Sequence, residues 1–135
     1  MDKPKPTPIA LVVCDNVYRE SQGKTALVGL FNRIKAAQFP VVHPRLCVYV
    51  SVTDIKPGTV FKLEIVHSET DEVVASAEGP PPKGIDPTGI CDFTFEIGNL
   101  RFREPALYYI RFWGNDHVLL QRPFMVQRIG GGGKP

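Results

Sequence analysis

Apolar and polar residues alternate with a period of two along most of this chain. One face of residues 45–53 collects only aliphatic side chains, namely Leu46, Val48, Val50 and Val52. The same alternation recurs in residues 61–65, 91–97 and 108–113. Because successive side chains of a β-strand point to opposite faces, the pattern predicts strands with one face buried and the other in water.

Turn-forming residues separate these strands. Ser21-Gln22-Gly23-Lys24 divides the apolar runs 9–18 and 25–31, which together predict a β-hairpin. Residues 79–89 contain four prolines and three glycines, so they predict a stiff crossover between two sheets and not a strand. Pro123 predicts a break, a bulge or an edge position inside the last strand.

The number and spacing of the strands predict an all-β fold. Seven to nine short strands bounded by turns are typical of an antiparallel β-sandwich, and a closed barrel is the alternative that periodicity leaves open. No stretch has helical periodicity over the length of a helix, although residues 35–39 are compatible with one helical turn.

Chain length and composition predict one domain. With 135 residues, 43% of them apolar and 22% charged, the chain has the makeup of an ordinary globular protein. We expect the β-sandwich domain to span residues 8–129, between a flexible Pro- and Lys-rich tail at 1–7 and a flexible Gly-rich tail at 130–135.

Charge and cysteine content narrow the class of function and the compartment. Sixteen basic residues face fourteen acidic ones without a basic stripe, so a single-stranded nucleic-acid binder is a weak alternative. Cys14, Cys47 and Cys91 form no C-x-x-C pair, and no apolar secretory segment precedes the first strand. These features predict a cytoplasmic protein whose cysteines act as small buried apolar residues.

Histidines and loop aspartates are the candidates for catalysis or metal binding. The set that could meet at one end of the fold comprises His43, His67, His117, Asp54, Asp71, Asp86 and Asp116. The chain has no nucleophile motif and no closely spaced D-x-D pair. We therefore predict surface histidines and solvated turn acids, with no catalytic residue, metal or cofactor. A small enzyme or metal-dependent binder is the alternative.

Asp15 lies among apolar residues of the first strand. A period of two places it on the same face as Val13 and Val17, so we expect a buried carboxylate. Arg33 or Arg45 would supply its basic partner. The substitution Asp15→Ala is then expected to lower stability by a few kcal/mol.

Aromatic and basic residues occupy outward positions of the predicted strands. They are Tyr49, Lys62, Tyr109, Arg111 and Trp113. Such residues are enriched at protein interfaces, so the set predicts a surface for a protein partner or a second copy of the chain. Stacking of Arg111 on Trp113 or Tyr109 within one chain is the structural alternative.

Two groups of residues carry a resemblance to known proteins. The first comprises Val13-Cys14-Asp15, the run Gly23-Lys24-Thr25-Ala26-Leu27-Val28-Gly29-Leu30-Phe31, Phe39-Pro40 and His43-Pro44-Arg45-Leu46. These residues resemble a family of uncharacterised bacterial all-β proteins, which are small and have no assigned activity.

The second group is Glu104-Pro105-Ala106-Leu107-Tyr108-Tyr109-Ile110-Arg111-Phe112. It resembles the penultimate strand of immunoglobulin-like sandwiches. The resemblance implies an immunoglobulin-like antiparallel β-sandwich in which the Tyr108 hydroxyl bonds back to the corner backbone. Cys47 and Cys91 do not have the spacing of the inter-sheet disulfide, so the likeness extends to the architecture only.

Taken together, these patterns predict a non-enzymatic function. We expect a protein-interaction or self-associating module that uses a sheet face or an edge strand, with a protein or a second copy as its partner and no membrane. The strands near Pro40 and Pro123 are the predicted edges.

Overall fold

Nine β-strands form the protein in a computed structural model that describes residues 5–81 and 89–130. The strands, numbered in chain order, are β1 (Thr7–Arg19), β2 (Thr25–Leu30), β3 (Arg33–Ala36), β4 (Val41–Thr53), β5 (Phe61–His67), β6 (Val73–Gly79), β7 (Cys91–Phe102), β8 (Ala106–Gly114) and β9 (His117–Arg128). Parts of the predicted tails and of the predicted crossover, including Asp86, lie outside the described residues.

The strands form two sheets. Sheet A has the order β2-β1-β4-β7, and all its neighbouring strands are antiparallel. Sheet B has the order β3-β9-β8-β5-β6, and only its β3–β9 pair is parallel. The predicted all-β class is confirmed. Among the described residues no strand pairing joins sheet A to sheet B, so the two sheets do not close into one barrel.

Most predicted strands are present, and one is new. The hairpin of β1 and β2 turns at residues 20–24, where Gly23 has the left-handed φ of +90° that the turn requires. The predicted helical turn at residues 35–39 is wrong, because Lys35 and Ala36 belong to β3. Strand β3 is stabilised by parallel pairing with β9, which no local pattern reveals.

Aromatic and aliphatic side chains from both sheets pack in one core. The four aliphatic residues of β4 are fully buried, as predicted. Phe61 of β5 stacks on Phe112 of β8 with ring centroids 5.3 Å apart, and Phe93 of sheet A approaches Phe61 to 5.2 Å. These contacts hold the two sheets face to face.

The opposite face of β4 departs from the prediction of a solvent-facing surface. Cys47 is 1% exposed and Ser51 is 6% exposed, although both point away from the core. Strand β4 lies between β1 and β7, whose side chains flank it on both sides. An inner strand therefore buries small residues even on its outer face.

The prediction that the strands near Pro40 and Pro123 are edges is wrong for β4 and β9, because both are inner strands of their sheets. Pro40 directly precedes β4, which pairs with β1 only from Cys47 onward. Pro123 pairs with Tyr109 of β8, while β3 begins opposite Met125. In the described residues each proline therefore adjoins backbone with a strand partner on one side only, where a missing N–H is tolerated.

Two further features complete the fold. The chain passes from β6 in sheet B to β7 in sheet A, as the predicted crossover requires. No helix in the described part of the chain is long and apolar enough to cross a membrane.

Candidate functional site

The structure divides the predicted interaction residues between two faces. Lys62, Tyr109, Arg111 and Trp113 share the outer face of sheet B, on neighbouring strands β5 and β8. Tyr49 lies on β4, on the outer face of sheet A. Alternation along a strand distinguishes its two faces but does not say to which sheet the strand belongs, so the sequence could not separate Tyr49 from the others.

The outer face of sheet B holds a network of polar contacts around Trp113. The indole Nε1 donates a hydrogen bond to Glu64 Oε1 at 2.8 Å. Lys62 Nζ lies 4.7 Å from the centre of the indole ring and 3.7 Å from Glu64 Oε2. The predicted cation–π contact is therefore made by Lys62, since strand pairing places Lys62 directly opposite Trp113.

Arg111 has its own partners on the same face. Its Nε donates to Gln121 Oε1 at 2.7 Å, and its NH2 nitrogen lies 3.9 Å from Asp71 Oδ1. The predicted stacking of Arg111 on an aromatic ring is replaced by these contacts. The charges of this face are thus already compensated within one chain.

An apolar patch marks the outer face of sheet A near β2. Tyr18, Val28 and Leu30 are 55%, 49% and 64% exposed. Leu30 is the partner of Cys14 and Val28 the partner of Asn16, so these side chains project from the same side of the sheet. We call Tyr18, Val28 and Leu30 the β2 patch.

Strand β2 is one of the two edge strands of sheet A, and it differs in charge from the other edge strands of both sheets. Its sequence, TALVGL, has no charged residue. Charged residues on the other edge strands β3, β6 and β7 are Arg33, Lys35, Glu78, Asp92, Glu96 and Arg101. Because charges on an edge oppose pairing with another chain, β2 is the edge best suited to accept a further strand.

His67 is buried, contrary to the predicted surface position. Its Nδ1 accepts hydrogen bonds from the backbone N–H groups of Glu69 at 3.1 Å and Thr70 at 3.3 Å. The proton therefore resides on Nε2, which donates to Glu104 Oε2 at 2.9 Å. With both ring nitrogens engaged, His67 has no lone pair free to bind a metal.

A cleft of about 640 Å³ opens beside His67. Its charged walls include Arg101 and Arg103 of the β7 end, and Arg103 pairs with Glu72. The volume is within the usual range for small-molecule sites. Glu104, which holds His67, also lines the cleft.

The three histidines do not converge. His117 begins β9 at one end of β8, whereas His67 pairs with Tyr108 at the other end. Six residues of strand place these ends roughly 20 Å apart. His43 lies on β4 of the other sheet. The described residues contain no group of three or more His, Cys, Asp or Glu side chains placed to hold a metal ion.

Asp15 is exposed, so the prediction of a buried ion pair is wrong. The register of β1 with β2 sets Asp15 opposite Gly29, which has no side chain to cover the carboxylate. Arg45, one of the expected partners, pairs instead with Glu96 at 2.8 Å and with Asn16 at 2.6 Å.

Sequence reasoning missed the β2 patch and the Glu104 contact. The lack of charge in residues 25–30 was visible in the sequence, but their edge position was not. Glu104 lies 37 positions from His67, so only the fold brings the two together.

These observations define a class: an all-β protein of two facing sheets with one uncharged edge strand. Residues 9–127 match a family of unknown function, DUF6941, and the chain belongs to that family. The predicted resemblance to a family without assigned activity is confirmed to that extent. No curated protein matches the chain.

Two solved structures contain segments of similar shape. The Pseudomonas fluorescens alkylpurine DNA glycosylase AlkC, bound to DNA containing an abasic site analog, matches with a TM-score of 0.53 and 11% identity, over 91% of this chain and 30% of that one. Bifidobacterium dentium beta-glucuronidase complexed with coumarin-3-O-glucuronide matches with a TM-score of 0.42 and 10% identity, over 90% and 17%. The first likeness shows a shared fold alone.

Proposed function

We propose that this protein is a non-enzymatic interaction module that self-associates by pairing β2 with the same strand of a second copy. The observation that carries the proposal is the uncharged β2 edge beside the exposed β2 patch. We further propose that the protein is bacterial, as its resemblance to a family of bacterial proteins implies, and cytoplasmic, because its three cysteines are all free.

We also propose an immunoglobulin-like sandwich architecture. The hydroxyl of Tyr108 donates to the backbone oxygen of Glu104 at 3.2 Å, which is the contact expected from a tyrosine corner. Two sheets of four and five strands around a common core are compatible with that architecture. Both features support the proposal, and the β1–β2 hairpin then forms one edge of the sandwich.

Pairing of β2 with itself is favoured by symmetry and by charge. Two identical antiparallel strands meet around a two-fold axis, so each exposed residue of one copy finds an equivalent place on the other. Val28 and Leu30 bring no charge to that axis. The pairing would extend sheet A into one continuous sheet of both copies.

The exposed areas predict a weak dimer. Complete burial of a Val or Leu side chain contributes about 1.5–3 kcal/mol. Val28 and Leu30 are half to two-thirds exposed, so both copies together gain about 3–7 kcal/mol. Association costs about 4–15 kcal/mol in lost freedom, so strand hydrogen bonds must supply the balance. We expect a dissociation constant between about 10 and 500 µM.

The test measures mass in solution by light scattering over roughly 10–500 µM, which brackets that range. We expect wild type to move from 15.0 kDa toward twice that mass. Val28→Lys should remain monomeric. The matched control is Val73→Lys, because Val73 is 48% exposed and lies on the edge strand β6. A monomer at every concentration, or equal loss in both variants, contradicts the proposal.

The same mass measurement on a Trp113→Ala variant tests the predicted residues on the outer face of sheet B. Trp113→Ala should leave the mass unchanged if β2 is the interface. A monomeric Trp113→Ala variant beside a dimeric Val28→Lys variant would instead assign the interface to Lys62, Tyr109, Arg111 and Trp113.

A second candidate function is the binding of a small ligand, and one observation favours it. The cleft beside His67 has the volume of a small-molecule site and carries Arg101 on its wall. Nucleic-acid binding stays the weaker alternative. The DNA-bound glycosylase shares the fold at 11% identity, and the net charge here is only +2.

A further inference from the structure

Cys14 and Cys47 are direct partners across the β1–β4 pair. Both are buried on the outer face of sheet A, at 0% and 1% exposure. Partner residues of antiparallel strands have Cα atoms roughly 4.5 or 5.5 Å apart. Disulfides form at Cα separations of roughly 4.4–6.8 Å, so either spacing is compatible with a bond between these two residues.

The two thiols are directed at the same short piece of backbone. Cys14 Sγ donates to the carbonyl oxygen of Asn16, and Cys47 Sγ donates to the carbonyl oxygen of Asp15, each at 3.5 Å. Burial raises the pKa of the Cys14 thiol, and the adjacent Cys47 raises it further. The sulfurs therefore lie close enough to influence each other.

Arg45 lies beside the Cys47 thiol. One guanidinium nitrogen donates to Asn16 Oδ1 on β1, and the other pairs with Glu96 on β7. Cys47 lies between these strands, so the guanidinium spans it. The Arg45–Glu96 pair is itself exposed, and exposed pairs contribute at most about 1 kcal/mol. Because that pair is weak, displacement of Arg45 is the route by which a small reagent would reach Cys47 in the proposal below.

Arg45 also distinguishes the two sulfurs. Burial, Glu96 and Asp15 raise the pKa of the Cys47 thiol, and the charge and hydrogen bond of Arg45 act against that rise. No cation among the described residues lowers the pKa of the Cys14 thiol in the same way. The thiolate of Cys47 is consequently the better placed nucleophile.

We propose that Cys14 and Cys47 are an oxidation site at which a hydroperoxide forms a cross-strand disulfide. The Cys47 thiolate attacks the terminal peroxide oxygen, an S–O bond forms as the O–O bond breaks, and the leaving oxygen takes a proton as water or alcohol. The Cys14 thiol then attacks the Cys47 sulfur, an S–S bond forms, and the sulfenic oxygen leaves as water with the Cys14 proton. The peroxide is reduced by two electrons, and the two thiols are oxidised.

Cys91 provides an internal control. Its partner in the sheet is Val52, and it begins β7 away from the other two thiols. Its burial raises its pKa, as for the other two. If oxidation required only a buried thiol, Cys91 would be oxidised as readily as Cys14 and Cys47.

The experiment treats the reduced, native wild-type protein with hydrogen peroxide and then alkylates it in denaturant. We expect a mass loss of about 2 Da, one alkylated thiol at Cys91, and a crosslinked peptide that joins Cys14 to Cys47. Cys91→Ser should oxidise at the same rate. In Cys14→Ser, dimedone should trap a sulfenic acid at Cys47.

Three results would overturn the proposal. They are a crosslink that includes Cys91, dimedone addition at Cys91 in the Cys14→Ser variant, and native thiols that stay reduced while the urea-unfolded chain oxidises. The wild-type measurement needs no substitution, so it stands even where a variant does not fold. The mass loss and the crosslinked peptide do not depend on the oligomeric state. The oxidation proposal can therefore fail or succeed independently of the proposed β2 interface.

Discussion

Replacing Tyr108 by Phe removes a single hydroxyl from the corner that joins β7 to β8. The ring is 3% exposed and packs edge-on against Phe102, with centroids 4.8 Å apart, and against His67 at 5.2 Å. The hydroxyl donates to the backbone oxygen of Glu104 at 3.2 Å. Because Phe preserves the ring, the substitution isolates that hydrogen bond.

The expected loss follows from the surroundings of the acceptor. A net hydrogen bond contributes about 0.5–1.5 kcal/mol, and an acceptor left buried without a partner raises the loss toward about 3 kcal/mol. Glu104 is exposed, so water can replace the hydroxyl at its carbonyl oxygen. We therefore expect Tyr108→Phe to lower the free energy of unfolding by about 1 kcal/mol, or Tm by about 4 °C for a domain of this size.

Urea unfolding followed by circular dichroism measures this difference, and Tyr109→Phe is the matched control. Tyr109 is the next residue on the same strand, and the described residues give its hydroxyl no hydrogen-bond partner. Its substitution should change stability by less than about 0.5 kcal/mol. Equal losses in the two variants, or an unchanged Tyr108→Phe variant, would refute the assigned corner contact.

Two further predictions concern the strained glycine and the thiols. Gly29 has a φ of +75°, and a Cβ there would lie 2.6 Å from Asp15 Oδ2, so Gly29→Ala should destabilise by about 1–2 kcal/mol in urea unfolding. Asp15→Ala alone should change stability by less than about 0.5 kcal/mol, because the carboxylate is exposed. In the double variant, Asp15→Ala should recover only part of the stability that Gly29→Ala loses. Complete recovery would contradict backbone strain at Gly29. Burial raises the pKa of Cys14, Cys47 and Cys91, so the unfolded chain loses thiol protons first and stability should fall as pH rises above about 8.5. A flat profile of unfolding free energy from pH 7 to about 10.5 would count against this ionisation order.

Local periodicity predicted the position and the buried face of most strands. Residues 45–53 alternate over nine of the 13 residues of β4, and the buried aliphatic set is the one that alternation selects. Strand β3 was not predicted, because it has only four residues, two of them cations, and is too short to show a clear alternation. Its stabilising partner β9 lies near the other end of the chain, and no local signal encodes such a pairing.

The candidate site was less predictable because it depends on which strands are neighbours. Strong alternation gave the outward residues of β5 and β8, but the predicted set also included Tyr49, which lies on the other sheet. The burial of Cys47 on an outer face follows from the position of β4 between β1 and β7, whose residues Asn16 and Glu96 also hold Arg45 beside it. A period of two predicts that Cys47 faces outward, but not that a neighbouring guanidinium lies beside it.

The two proposed properties of sheet A occupy adjacent strands and remain physically separable. Leu30 of the β2 patch is the partner of Cys14 on β1, so the patch and the thiols share one face. A bond from Cys14 to Cys47 ties β1 to β4 and adds no contact to β2. The free edge of β2 keeps its hydrogen-bonding groups in either redox state, so oxidation alone gives no reason for the dimer to dissociate. An oxidised protein that loses its dimer would show that β2 shifts when its neighbour is tied to β4.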